Sequence, residues 1–141
     1  MKILVMGLAG AGKTTLAKRL ATKLSAVHFN ADEIRENINK DLGFSNQDRL
    51  EQSKRMGFLC DVVSRAGYDS IADFICPTEE TRTAFNPDFI IWVNRISECV
   101  YSDTNAIFVK PKNADVVIKF GITVEEEINL ILQKLNTLRN N

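Results

Sequence analysis

The stretch KILVMGLAGAGKTT at residues 2–15 decides the fold. Lys2 to Met6 reads as an apolar run, as a strand buried on both faces would be. Gly7-Leu8-Ala9-Gly10-Ala11-Gly12-Lys13-Thr14 then matches G-x-x-x-x-G-K-[ST], with Thr15 following. With equal residue usage this pattern arises at about one start position in 80,000. Its context sharpens it, because the motif lies between an apolar strand and an amphipathic segment with Leu16, Leu20 and Leu24 on one face.

The chemistry accounts for each part. A triphosphate is a dense anion, so the loop wraps it with backbone N–H groups, and glycines let the backbone approach closely. The helix that follows adds unpaired N–H groups and a favourable dipole. Lys13 is expected to reach the β- and γ-phosphates and act catalytically, and Thr14 to offer its hydroxyl oxygen to Mg²⁺. Residues Gly7 to Thr15 are therefore the expected ATP site.

Working outward, further strands are expected at Val27 to Phe29, Ser70 to Ile75, Phe89 to Val93 and Asp115 to Ile118. Helices are expected from Lys13 or Thr14 to Lys23, from Asp32 to Ile38, from a Ser45 or Asn46 cap to Arg65, and from Val124 to about Leu138. Leu50, Leu59, Val62, Val63 and Ala66 read as the apolar stripe of the long helix. Thr123 and Glu126 read as a capping box. Alternating strands and helices imply an α/β fold: a P-loop NTPase fold, three-layer α/β/α, with a mainly parallel five-stranded sheet. The 141 residues, without repeats or linkers, suit a single domain over 1–141.

Composition narrows the partners. Lys plus Arg and Asp plus Glu both number 18, so no global field draws in nucleic acid or a membrane surface. No apolar run reaches the length of a membrane span. Cys60, Cys76 and Cys99 are scattered, which suggests neither zinc site nor disulfide framework and makes a reducing, cytoplasmic setting the default.

After the second strand, Asp32 can hold Mg²⁺ through water or accept a substrate hydroxyl proton, and it can equally be a helix N-cap. Arg35 and Arg49 suit an anionic substrate if they face the same cleft, since guanidinium forks bind phosphate or sulfate oxygens in pairs. His28 reads as structural, Cys76 as a small buried residue and Trp92 as core.

Asn39-Lys40-Asp41-Leu42-Gly43-Phe44-Ser45, followed by Asp48-Arg49-Leu50-Glu51, closely resembles the adenylylsulfate kinase family. So do GLAGAGKTTLA at 7–17, the Asp32-x-x-Arg35 pair and Phe74-Ile75-Cys76-Pro77. The resemblance runs from residue 1 to about residue 82, and weakly through the TVEE segment at 123–126. It implies that Asp32 lies near the transferred phosphoryl group and that Arg35 and Arg49 grip the acceptor's phosphosulfate. It also implies that Phe44 stacks on the acceptor's adenine and that Ile75 lines its pocket. The implied cofactors are ATP and Mg²⁺ and the implied partner is a small nucleotide; a homodimer is left open.

The departures are specific. The family's first Asp in its LDGD segment is Asn30 here, and its Gly is Ala31. An Asn on the long helix becomes Gln52, which keeps an amide at the substrate side. The Ser before Pro77 becomes Cys76, and the Tyr-Arg that follows becomes Thr78-Glu79, with Arg82 retained. The family's basic lid, a Gly-Leu-Tyr-Lys-Lys-Ala-Arg-like run, is replaced by the shorter Asn94 to Lys112 segment, nearly stripped of basic residues. Charge over the γ-phosphate is then expected from Arg82 or Arg95, with Lys110, a second metal or a partner as alternatives. Phe108 is either a lid aromatic or core. Three functions stay open at this level: an adenylylsulfate-kinase-like enzyme, a kinase for another nucleotide-like, sugar or nucleic-acid-end acceptor, and a non-catalytic ATP-binding module.

Overall fold

The run Lys2–Met6 forms strand β1 and sends its side chains alternately to two cores, Ile3 and Val5 to one and Leu4 and Met6 to the other. A computed structural model describes residues 1–140. The other strands are β2 (Val27–Asn30), β3 (Ser70–Asp73), β4 (Phe89–Val93) and β5 (Val116–Ile118). All pair in parallel, in the order β2-β3-β1-β4-β5. The helices are α1 (Lys13–Leu24), α2 (Ala31–Asn37), α3 (Asn46–Arg65), α4 (Glu79–Phe85), α5 (Ser102–Ile107) and α6 (Val124–Arg139). The expected three-layer α/β/α arrangement follows, with α1 and α6 over one core and α2, α3 and α4 over the other.

The connectivity locates the site. The chain leaves β1 toward one side of the sheet, and after β3 it crosses to β4 on the other side. A crevice must open between the carboxyl ends of β1 and β3, where ligands of open α/β sheets bind. The loop after β1 and the segment after β3 meet there, with Gly7 N–H donating to Ile75 O at 3.4 Å.

Several expectations need correction. β3 ends at Asp73, two residues before the anticipated end, because the backbone turns there to reach Cys76, whose φ is 49°. Helix α4 was not anticipated, although Thr78 caps it in a reciprocal box with Thr81 and Glu79 and Glu80 fill its first turn. The buried face of α3 is also different. Met56, Gly57 and Cys60 are buried with the polar Gln52 and Ser53, whereas Val62 is 43% exposed. At α6 the Thr123 hydroxyl accepts from Glu126 N–H as expected, but the Glu126 carboxylate takes the Thr123 hydroxyl rather than its backbone N–H.

Gly57 explains the rotation of α3. A Cβ there would lie 2.9 Å from Phe85 O and 3.3 Å from its Cα, so only glycine lets α3 approach α4 this closely. Phe85, fully buried and edge-on to Phe74 at 5.6 Å, is the anchor of that contact. Alanine gains about 1 kcal/mol of helix propensity, but the backbone overlap costs more. Gly57→Ala is expected to lower the unfolding free energy in urea by about 1–2 kcal/mol with an unchanged slope; an unchanged or higher midpoint would contradict this packing.

Candidate active site

The loop after β1 wraps a cleft of about 690 Å³. Gly7 has φ 144°, and a Cβ on it would lie 2.4 Å from Val93 O, so the loop can start this close to β4 only with glycine. The loop closes on itself through Ala11 N–H to Leu8 O at 3.2 Å, and Gly12, in the left-handed region, starts α1. Lys13 is 8% exposed and its ammonium donates to Leu8 O at 2.9 Å. Burial lowers the Lys13 pKa, opposed by the charges of Asp73, Asp32 and Cys99. The cation is thus folded against its own loop, at the cleft wall.

Of the residues expected from the sequence, Ala9, Gly10, Gly12, Lys13, Thr14 and Thr15 line the loop end of the cleft, while Asp32, Arg35, Phe44, Arg49, Gln52 and Ile75 line the rest. Gly7, Leu8 and Ala11 form the back of the loop. The end of the cleft away from the loop is built by the segment 39–45. Asn39, 1% exposed, donates to Gln52 Oε1 at 2.7 Å, and Arg55 donates to both Asp41 oxygens at 2.8 and 2.9 Å. Gly43 N–H donates to Asp48, and Ser45 caps α3. These bonds hold Phe44 outward, 63% exposed, with the guanidinium of Arg35 4.4 Å and that of Arg49 5.6 Å from its ring centre.

The two arginines converge but are anchored differently. Arg35 donates to Gly43 O at 2.8 Å; burial lowers its pKa, and the nearby Arg49 charge lowers it further. Arg49, 8% exposed, donates to Phe44 O, to Thr104 Oγ1 at 3.1 Å and to Asp103 at 3.3 Å. The short α5 therefore covers Arg49 from the side where a lid was expected. Gln52 is 2% exposed and donates to Ala31 O at 3.4 Å, tying α3 to α2.

Both arginines favoured for the γ-phosphate have other partners in this structure. Arg82, 3% exposed, donates to Cys76 O at 3.1 Å, to Val109 O and to Glu79 at 3.0 Å. Arg95 donates to Ala11 O at 3.0 Å and pairs with both oxygens of the buried Glu127. It braces the loop from behind, against α6. Phe108 is half-buried, packing on the core and against Arg82, and Trp92 packs on the same core. Burial pushes the Cys76 thiol up to about 12, so it stays protonated and unreactive.

The sequence reading missed the carboxylate nearest Thr14. Asp73, 2% exposed at the end of β3, accepts from the Thr14 hydroxyl at 2.9 Å; no such bond joins Thr14 to Asp32 among the described residues. His28, read as structural, has its Nε2 on the other Asp73 oxygen. Asn30, rather than Asp32, caps α2: its Oδ1 accepts from Glu33 N–H at 3.0 Å. With the strand expected to run on to Ile75, Asp73 did not stand out; its place at the strand's end, beside the loop's strand, is where a carboxylate can serve a cation.

The chain is similar to the adenylyl-sulfate kinase of Gloeothece citriformis, 29% identical over 165 residues, covering 96% of this chain and 94% of that protein. It is 33% identical over 161 residues to the adenylyl-sulfate kinase of Picosynechococcus, covering 94% and 91%. The fold is that of the Mycobacterium tuberculosis APS kinase solved in complex with AMPPNP and APS, with a TM-score of 0.85 at 20% identity and 96% of each chain covered. A hexameric APS kinase from Thiobacillus denitrificans superposes with a TM-score of 0.77 at 25% identity, covering 96% of this chain and 28% of that one. The family model for adenylylsulphate kinase matches residues 1–124, and the chain belongs to that family.

Proposed function

We propose that this chain transfers the γ-phosphoryl group of ATP to the 3′-hydroxyl of adenylyl sulfate, releasing ADP. The observation that carries it is one cleft with a triphosphate loop at one end and Phe44, flanked by Arg35 and Arg49, at the other. An aromatic ring suits a base, and paired guanidinium groups suit a phosphosulfate. The relatives that share most of their length with this chain are adenylyl-sulfate kinases.

Lys13 leaves Leu8 O for the β- and γ-phosphate oxygens and follows the charge as it moves to the leaving group. Asp32, exposed at the start of α2, accepts the proton of the acceptor hydroxyl. Arg35 and Arg49 orient the acceptor, and Arg49 exchanges the exposed Asp103 carboxylate for the acceptor's anion. Mg²⁺ fits the donor end. The Thr14 hydroxyl hydrogen is taken by Asp73 and one lone pair of its oxygen by Asn30 Nδ2 at 3.1 Å, which leaves its second lone pair uncommitted. Bound there, Mg²⁺ would neutralise charge across the β- and γ-phosphates. Among the described residues no group of three or more His, Cys, Asp or Glu forms a cage, as befits an ion that takes one or two carboxylates with phosphates and water. No helix among them is long and apolar enough to cross a membrane.

Purified protein with ATP, Mg²⁺ and adenylyl sulfate is expected to yield ADP and the 3′-phosphorylated nucleotide in equal amounts. Lys13→Ala is expected to reduce turnover by about 10²–10³-fold. ADP release that requires some other acceptor, or none, would overturn the reading.

Phe44→Ala is expected to raise KM for adenylyl sulfate by about 5- to 100-fold, the range of one lost base stack, with KM for ATP little changed. Equal effects on both substrates would remove Phe44 from the acceptor site.

A further inference from the structure

Asn30 uses both ends of its amide, and that fixes which way it faces. Its Oδ1 caps α2 by accepting from Glu33 N–H at 3.0 Å. Its Nδ2 therefore points into the cleft, donating to Thr14 Oγ1 at 3.1 Å and to the two Asp73 oxygens at 3.1 and 3.3 Å. An amide nitrogen has no lone pair to give a cation. Asn30 cannot be the cation-side ligand here, although its position is where the resemblance expects a carboxylate.

The carboxylate stands opposite, on the next strand. Asp73 is paired with Asn30 in the β2–β3 register and is 2% exposed. Its partners are the Thr14 hydroxyl, the Asn30 amide and His28 Nε2. His28 is its ion-pair partner, no Lys or Arg forms a salt bridge with it among the described residues, and Lys13 feels its charge from a distance; a carboxylate this buried is suited to a cation placed beside it. The two positions are chemically matched. An aspartate at 30 would set two carboxylates about 3 Å apart with no proton between them, whereas an asparagine donates to the carboxylate it faces.

We infer that Asp73, held in place by His28 and Asn30, is the magnesium-side carboxylate of this chain, one strand across from Asn30, where the resemblance expects an aspartate. Asp73 orients the Thr14 hydroxyl and presents its charge to the cation or to a cation-bound water, and His28 is a positioning residue that fixes the far carboxylate oxygen. The inference rests on the ATP-Mg reading of the loop but not on the identity of the acceptor.

Its test is ADP binding by calorimetry, in Mg²⁺ and in EDTA, with Mn²⁺ binding followed by electron paramagnetic resonance. Wild type should bind ADP more tightly with Mg²⁺. Asp73→Asn should lose about 10–100-fold of that enhancement, the cost of disturbing a metal's supporting groups, while its affinity in EDTA holds or rises. The exchange variant Asn30→Asp/Asp73→Asn should recover the enhancement and the Mn²⁺ signal, and it decides the matter alone if Asp73→Asn does not fold. His28→Gln, which keeps a donor, should retain more Mn²⁺ binding than His28→Phe. Full Mg²⁺ dependence in Asp73→Asn, or an exchange variant that folds without recovering it, would overturn the inference. Wild type without Mg²⁺-dependent ADP binding would overturn both this and the ATP-Mg reading, whereas failure with adenylyl sulfate alone would leave it standing.

Discussion

One buried carboxylate organises the donor half of this molecule. Asp73 collects the Thr14 hydroxyl from the first turn of α1, the Asn30 amide from the end of β2 and the His28 ring from within β2. Those groups come from α1 and β2 and meet at the end of β3, so the loop, the start of α2 and the end of β3 have a common reference point. Polar groups that meet in a low dielectric must all be satisfied or the arrangement is costly. Here each member has a partner, and the satisfied network sets the donor end before any nucleotide arrives.

The acceptor half is organised by different physics. Its segment 39–45 is irregular backbone, held by the buried Asn39–Gln52 bond and the paired Arg55–Asp41 contact, and it exists to present one exposed ring between two cations. The shortened segment after β4 reaches the same place by another route, with α5 setting Thr104 and Asp103 against Arg49. Alignments of 165 and 161 positions exceed the length of this chain, so these relatives carry stretches that it lacks. Arg82 and Arg95, the residues expected to supply charge in place of a basic lid, have other partners in this structure. Both are committed as struts, one holding the turn at Cys76 and the other the back of the phosphate loop.

Much of this was legible in the residues, for physical reasons. The apolar run of β1 and the spacing of glycines before Lys13 demand a buried strand, a tight anion-binding turn and a helix, and the structure has them in that order. Segment 39–45 was readable only through resemblance, because no periodicity marks a loop held by side-chain bonds. Asp73 was hidden for a related reason: within SIADFI it looks like one polar residue in a strand, and its meaning comes from β2 lying alongside in register. The face of α3 misled because Leu50, Leu59 and Val62 are more apolar than Gln52, Ser53 and Gly57, yet close approach to α4 depends on small volume. Arg82 and Arg95 looked available because a sequence does not show which carbonyls a guanidinium will tie.

The most direct measurement is a crystal structure with a non-hydrolysable ATP analogue, Mg²⁺ and adenylyl sulfate bound together. The account predicts the cation beside Thr14 Oγ1 on the Asp73 side, the acceptor base against Phe44, its phosphosulfate between Arg35 and Arg49, and its 3′-hydroxyl facing Asp32 and the γ-phosphate. A cation seated away from Asp73, or an acceptor whose anion lies outside the Arg35–Arg49 pair, would contradict it.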